Sequence, residues 1–205
     1  MHYFQVNDLE EMSKIYRLNL INSVTGYKSA HLIGTSSNKG NDNLAVFSSV
    51  IHLGSDPALI GFILRPTTVP RNTYTNLKET GVFTLNAIQK NTIEDAHHTS
   101  AKYPVEVSEF DQTQFEVERK PSWVAPYVKG APIQMGCRYL NEYLIHENDT
   151  ILIVGKIEHL YISKPLLLED GWVQLDKGDI VSINGLDGYA LPQLLERFPY
   201  ARPKS

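Results

Sequence analysis

Cysteine is almost missing from this chain: Cys137 stands alone among 205 residues. An internal disulfide is excluded, a cysteine-based zinc cluster is excluded with it, and the expectation is a protein of a reducing compartment, the cytoplasm by default. Long apolar runs are missing too. No stretch approaches the roughly 18 to 20 residues of a membrane helix, and the start, Met1-His2-Tyr3-Phe4-Gln5, lacks the basic and apolar segments of a secretory leader. Positive charge is not in excess: 19 Lys and Arg against 23 Asp and Glu give a net charge of −4, which argues against a nucleic-acid partner held on a general basic surface.

The usual chemical signatures are equally scarce. Seven histidines give no His-Glu-x-x-His, and the adjacent pair His97 and His98 would point about 100° apart on a helix, so no metal site is expected. There is no Gly-x-Ser-x-Gly nucleophile elbow, and Cys137 sits inside a strand pattern as a small apolar residue would. Thr25-Gly26-Tyr27-Lys28-Ser29 fails as a phosphate-binding P-loop because Tyr27 separates glycine from lysine. No Gly-x-Gly-x-x-Gly dinucleotide fingerprint is present.

What is present is a succession of short apolar or alternating segments, separated by Gly, Asn, Asp, Ser and Pro. The expected strands are 30–36, 44–53, 58–64, 82–88, 133–145 and 150–162, the last two forming a long hairpin around Asn148-Asp149. Helices are few. Asn7 to about Leu20 reads as an amphipathic lead-in with Leu9, Met12 and Tyr16 on one face; a short helix covers Tyr74–Glu79 and stops at Gly81; another runs from Thr92 to Tyr103 with Asn91 as its cap. One domain over 1–205 is expected, with 1–25 as lead-in and 164–205 as an extended tail packed on the body. Short strands with few helical crossovers favour a barrel or sandwich over a doubly wound sheet.

The region from Gly34 to Asn86 carries the chemistry. Ser48 and Ser49 interrupt an apolar strand and need partners, and Arg65, Thr67, Thr68, Arg71 and Thr73 precede a helix start. Arginine, hydroxyl groups and a helix N-terminus are three anion-binding devices gathered in a few residues. The same residues also fit ordinary turn and capping chemistry with Arg65 solvated, and spacing does not choose between the two.

Asn43-Leu44-Ala45-Val46-Phe47-Ser48-Ser49-Val50, Ser55-Asp56-Pro57-Ala58-Leu59, Arg65, Thr73 and Val82-Phe83-Thr84-Leu85-Asn86 together resemble the flavin reductase-like FMN-binding split barrels. The likeness continues through Ala96–Pro104 and Val107–Phe110, which resemble the flavoredoxin branch, and it spans roughly 21–162. The resemblance implies a six-stranded antiparallel Greek-key barrel that forms a homodimer with FMN near the interface. It implies that Asn43, Leu44 and Ala45 meet the flavin ring or ribityl chain through backbone groups. Ser48 and Ser49 would lie near the ribityl phosphate, with Arg65 and Thr73 as phosphate partners. Thr67, Arg71, Tyr74 and Asn76 are weaker candidates in the same loop and helix, and Asn86 is either a flavin or a structural contact. Hydride would pass from NADH or NADPH to the flavin without a protein acid or base, on to a small-molecule or protein acceptor. His97, His98, Ser100 and Lys102 would line the donor or acceptor side, or else belong to a helix face filling the barrel mouth; the second is preferred. Trp123, Tyr127 and Trp172 are read as core or lid residues. The alternatives are a flavoredoxin-type electron carrier, a non-catalytic FMN module and, from another class, a cofactor-free β-barrel interaction domain.

Overall fold

Strands that are apolar on alternate residues must hide one face, and a sheet does so most completely by curling onto itself. The computed structural model, which describes residues 1–203, follows that route. Its elements in chain order are α1 (Val6–Glu11), α2 (Lys14–Val24), β1 (Lys28–Ser29), β2 (His31–Ser36), β3 (Asp42–Phe47), β4 (Ile51–Ser55), β5 (Ala58–Leu64), α3 (Asn72–Thr80), β6 (Val82–Ala87), α4 (Ile93–His98), β7 (Val117–Lys120), β8 (Trp123–Val128), β9 (Ile133–Ile145), β10 (Thr150–Ile162), β11 (Ser182–Asn184) and β12 (Gly188–Ala190). No described helix is long and apolar enough to cross a membrane.

Seven strands form one antiparallel sheet in the order β3-β2-β6-β9-β10-β5-β4. The two edge strands, β3 and β4, are separated in the chain only by Ser48, Ser49 and Val50, so the sheet has to curl until its edges meet. The single strand expected over 44–53 is therefore corrected: it bends at the serine pair, and six expected strands become seven. Ser49 closes the corner, its hydroxyl donating to the Ile63 carbonyl and accepting from the Ile63 N–H, both at 3.1 Å. Inside lie Ile33, Phe62, Phe83, Leu85, Cys137 and Ile153, all fully buried. The Phe62 ring meets Phe47 and Phe83 edge-on at 5.3 and 5.4 Å, and each such side chain contributes about 1.5–3 kcal/mol through burial. Cys137 is among them, its thiol pushed far up by burial, so it is inert packing rather than a nucleophile.

α3 closes one end of the barrel. Leu77 enters the core, Asn76 Nδ2 donates to Thr35 Oγ1 at 3.2 Å and Asn43 Nδ2 to Thr73 Oγ1 at 3.1 Å. The outer face of β2 and β3 is covered by Ala96 of α4, Phe110, Val181 and Ile183, packed on Leu32 and Leu44. α4 is shorter than expected and lies on this outer face, which corrects its placement at the barrel mouth; Thr99 stops it, with its N–H on the Asp95 carbonyl and its hydroxyl on that of Ala96.

Three further departures have local causes. The lead-in is two helices, broken where Ser13 accepts the Tyr16 N–H, while Arg17 donates to the carbonyls of Leu9 and Glu10; neither helix buries a residue. The β7–β8 hairpin is not among the expected strands, because Pro121 and Pro126 mask it. Pro126 is tolerated because β8 pairs only with β7, outside the main sheet. The segment after Lys164 is only partly an extended tail: β11 and β12 join β1 in a three-stranded sheet, Val181 N–H bonds the Ile88 carbonyl at 3.0 Å, and extended chain begins after Ala190.

β8 crosses β2 so closely that a Cβ on Gly34 would overlap the Pro126 carbonyl oxygen and lie 2.6 Å from Thr84 Oγ1. Gly34→Ala is therefore expected to cost about 1–3 kcal/mol, read as a lower urea midpoint with unchanged slope. A midpoint equal to that of the native protein would show that β8 can move aside.

Candidate functional site

The loop from Arg65 to Arg71 leads from the end of β5 into α3, beside the corner that joins β3 to β4. Arg65 and Thr67 are exposed. Arg71 is half-buried at the N-cap of α3, with extended backbone and no side-chain cap bond, and its Nε is shut from solvent without a partner. A guanidinium N–H in that state asks for an acceptor. Arg71 directly precedes the first-turn N–H groups of α3, which bring the positive end of the helix dipole with them. Thr73 is buried; because its oxygen accepts from Asn43, its own hydroxyl proton remains to be donated. Ser48 makes no side-chain hydrogen bond among the described residues, whereas Ser49 is committed to Ile63. Of the serine pair, Ser48 is the open hydroxyl.

The other candidates divide between support and packing. Asn76 holds Thr35 from inside the barrel end. Tyr74 donates to Glu142 Oε1 at 2.9 Å, and Tyr139 and Lys78 converge on the same carboxylate at 3.0 and 3.3 Å. Burial opposes the charge on Glu142, but these donors outweigh it and hold its carboxyl below the usual range; burial and the same carboxylate push the Tyr74 phenol up. This network ties α3 to β9, so Tyr74 positions the loop. Asn86 is fully buried, its amide nitrogen donating to Leu32 O and Thr84 Oγ1 and its oxygen accepting from Val128 N–H; of its two expected roles it performs the structural one. Ala45 is half-buried opposite Ile33.

Leu44 has its backbone N–H committed within the chain. Its side chain is fully buried and its N–H donates to Glu109 Oε2 at 2.8 Å. Glu109, which lies in the Val107–Phe110 stretch of the resemblance but is given no site role by the sequence, is the main addition. It sits in the 3₁₀ turn Glu109–Gln112, 6% exposed, and caps the open edge of β3. The one hint in the sequence is an acidic residue next to Phe110 after the capping Ser108, a pattern that also fits a surface turn. Burial pushes its carboxyl above the ordinary 4.5, against a smaller pull from the Leu44 N–H. His97 and His98 are exposed; His97 Nδ1 lies 3.4 Å from the Tyr189 hydroxyl and His98 Nε2 2.5 Å from that of Tyr103. Trp123 and Tyr127 are core residues, while Trp172 is exposed beneath Arg197.

Two surface depressions, of about 160 and 240 Å³, lie elsewhere, and neither is lined by any of these candidates. Both fall short of the roughly 300–1,000 Å³ typical of small-molecule pockets. On one chain, the Arg71 region is an open surface at the rim of a closed barrel.

An antiparallel sheet closed through a split corner and plugged at one end by a helix defines a split barrel. The chain belongs to the flavin reductase like domain family, whose sequence pattern matches residues 25–174. A split-barrel protein from Shewanella frigidimarina, provisionally named a flavin reductase, superposes with a TM-score of 0.95 at 37% identity, over 98% of this chain and all of that one. Nitrilotriacetate monooxygenase component B from Bacillus cereus superposes at 0.82 with 20% identity over 98% of both chains. Flavoredoxin from Desulfovibrio vulgaris does so at 0.73 with 19% identity, over 85% of this chain and 92% of that one. The last two similarities show a shared fold.

Glu109 makes stability depend on pH. Its folded pKa lies above its unfolded one, so its stabilising contribution is complete below the unfolded 4.5 and is lost as pH rises through the folded value. Glu109→Gln keeps an acceptor for Leu44 but carries no charge. Its urea midpoint relative to the native protein is expected to rise between about pH 4 and about pH 7; a difference that stays constant would mean that Glu109 titrates as it does in the unfolded chain.

Proposed function

We propose that this protein is an FMN-dependent oxidoreductase of the flavin reductase type, accepting hydride from NADH or NADPH. The observation that carries the reading is the buried, unpartnered Arg71 Nε at the start of α3. With the donor proton of Thr73 and the first N–H groups of the helix it suits a terminal phosphate, and the free hydroxyl of Ser48 is a further donor at the corner tied to Ile63, just before the loop begins. Arg65 and Thr67, exposed on the same loop, can close over that group from solvent. Asn43 orients Thr73, and the Glu142 network holds α3 in place. FMN, when bound, would supply the hydride-accepting ring, so the chain has to bind and orient rather than move protons.

A homodimer is part of this proposal. β5 is apolar on both faces: Ile60, Phe62 and Leu64 point into the core, while Leu59 and Ile63 point outward. A Cβ on Gly61 would meet Leu53 and Leu152, so these belong to the outer face as well, and Ile51 and Tyr143 extend it across β4 and β9. A strand apolar on both sides is characteristic of burial on both sides, and a second copy supplies the missing cover while enclosing the open rim near Arg71.

Titration with FMN and with riboflavin separates phosphate recognition from ring recognition. A hydrogen bond to a charged group is worth about 1.5–3 kcal/mol, so Arg71→Ala is expected to weaken FMN by roughly tenfold or more and leave riboflavin nearly unchanged; Arg65→Ala, at an exposed residue, should cost less. Equal losses for both ligands remove the phosphate assignment. Anaerobic stopped-flow mixing of the flavin-loaded protein with NADH or NADPH should bleach the flavin absorbance, with a primary isotope effect from 4-deuterated donor. Flavin that stays oxidised with both donors leaves the electron carrier or the non-catalytic module as the better reading.

A further inference from the structure

We infer that the extended C-terminal arm, 191–203, is the device by which one chain grips another, lying across the surface of a second copy. The inference deepens the dimer proposed above and rests on it. Leu195, Phe198 and Tyr200 are 92%, 79% and 93% exposed, and Leu191 and Leu194 are exposed as well. Among the described residues, no backbone group of the arm hydrogen-bonds to the rest of the chain. Apolar side chains of that size left in water gain free energy when covered.

The arm is nevertheless held on a course. The Arg197 guanidinium donates to Asp170 Oδ2 at 2.9 Å and lies 4.2 Å from the centre of the Trp172 ring. This pin leaves Leu195 and Phe198, its near neighbours in sequence, facing away from their own barrel. The Shewanella frigidimarina chain matches 98% of this one, coverage too high to omit the whole of 191–203, so a solved relative carries a corresponding segment. Extended chain pinned only through Arg197 keeps one course when something outside the chain supports it.

Three arguments choose a second copy as that support. The arm mixes Glu196 with Arg197 and Arg202, which gives no single-sign stripe for nucleic acid or an anionic lipid surface. The open outer face of β4, β5, β9 and β10 already calls for a second chain, and an arm continues such an interface. The area also suits. Phe198 and Tyr200 bury on the order of 150–250 Å² each when covered; a two-fold exchange counts each twice and supplies about half of the roughly 1,600 Å² of a standard interface.

The test places a photoreactive benzoylphenylalanine at Phe198 in the full-length protein and illuminates it at a concentration where sedimentation shows the dimer. A covalent species of twice the chain mass is expected, with the label mapped by peptide analysis to the barrel of the other chain. In parallel, truncation after Ala190 should raise the dimer dissociation constant at least tenfold while leaving the far-ultraviolet circular dichroism of the barrel unchanged. A dimer that cross-links only within a chain, or whose dissociation constant ignores the truncation, overturns the arm and leaves the outer face standing. Full-length protein that sediments as a monomer at micromolar concentration with FMN present overturns both. If truncation unfolds the barrel, Leu195→Asp combined with Tyr200→Asp replaces it, since side chains so exposed in the single chain cannot hold its core.

Discussion

Everything in this molecule depends on one closure: the two edges of a seven-stranded sheet are consecutive in the chain and must meet at Ser48–Val50. A flat sheet cannot satisfy that connection. Once the sheet curls, the apolar sides of β2, β5, β6, β9 and β10 face a common interior, and the polar cost of the junction is borne by Ser49, which replaces missing ladder bonds with two bonds to Ile63. Ser29 adds a third local bond, to the Val50 carbonyl at 2.7 Å. The corner that seals the barrel is thus also the place where a hydroxyl, that of Ser48, has no side-chain hydrogen bond among the described residues.

Closure also decides how the remaining edge is protected. β3 pairs only with β2, so its outward N–H groups would be open to water or to another strand. Glu109 answers this at Leu44, and the cost is a carboxylate in a desolvated place. At the barrel end the same problem is solved without charge: Asn43, Thr73, Asn76 and Thr35 pair with each other as α3 comes down. The helix is thereby fixed in rotation as well as position, because Leu77 must enter the core while Thr73 and Asn76 face the strand ends. Arg71, one residue before the helix, inherits that fixed orientation.

The strands were legible because alternation survives in a barrel: 58–64, 133–145 and 150–162 could be read to the residue. What could not be read has physical causes. The bend at Ser48–Val50 follows from long-range closure, which no local pattern encodes. The β7–β8 hairpin carries two prolines, and only its isolation from the main sheet makes them acceptable. For the candidate site, residue type pointed to the loop before α3 and to Ser48, Ser49, Arg65, Arg71 and Thr73, but not to which of them stay uncommitted. Arg65 and Ser49 attract attention as strand-end arginine and strand serine, yet one is solvated and the other is consumed by the backbone. Arg71 and Glu109 matter because of what surrounds them, and burial of a charged side chain is a tertiary property.

The polar groups near the α3 entrance share a feature that bears on chemistry. Glu109 is bound to a backbone N–H, Glu142 to two phenols and a lysine, Asn43 and Asn76 to threonines, and the Cys137 thiol is sealed in the core. None of these is placed to exchange a proton with a ligand, because each is already committed to holding a neighbour. The uncommitted groups, Arg71 Nε, the Ser48 hydroxyl and the Thr73 proton, are donors, which on the proposed reading would hold an anion without moving a proton. A site built from locked supports and a few fixed donors stabilises one bound orientation at little entropic cost. It suits a reaction whose electronic work is done by the bound group and whose protein contribution is position.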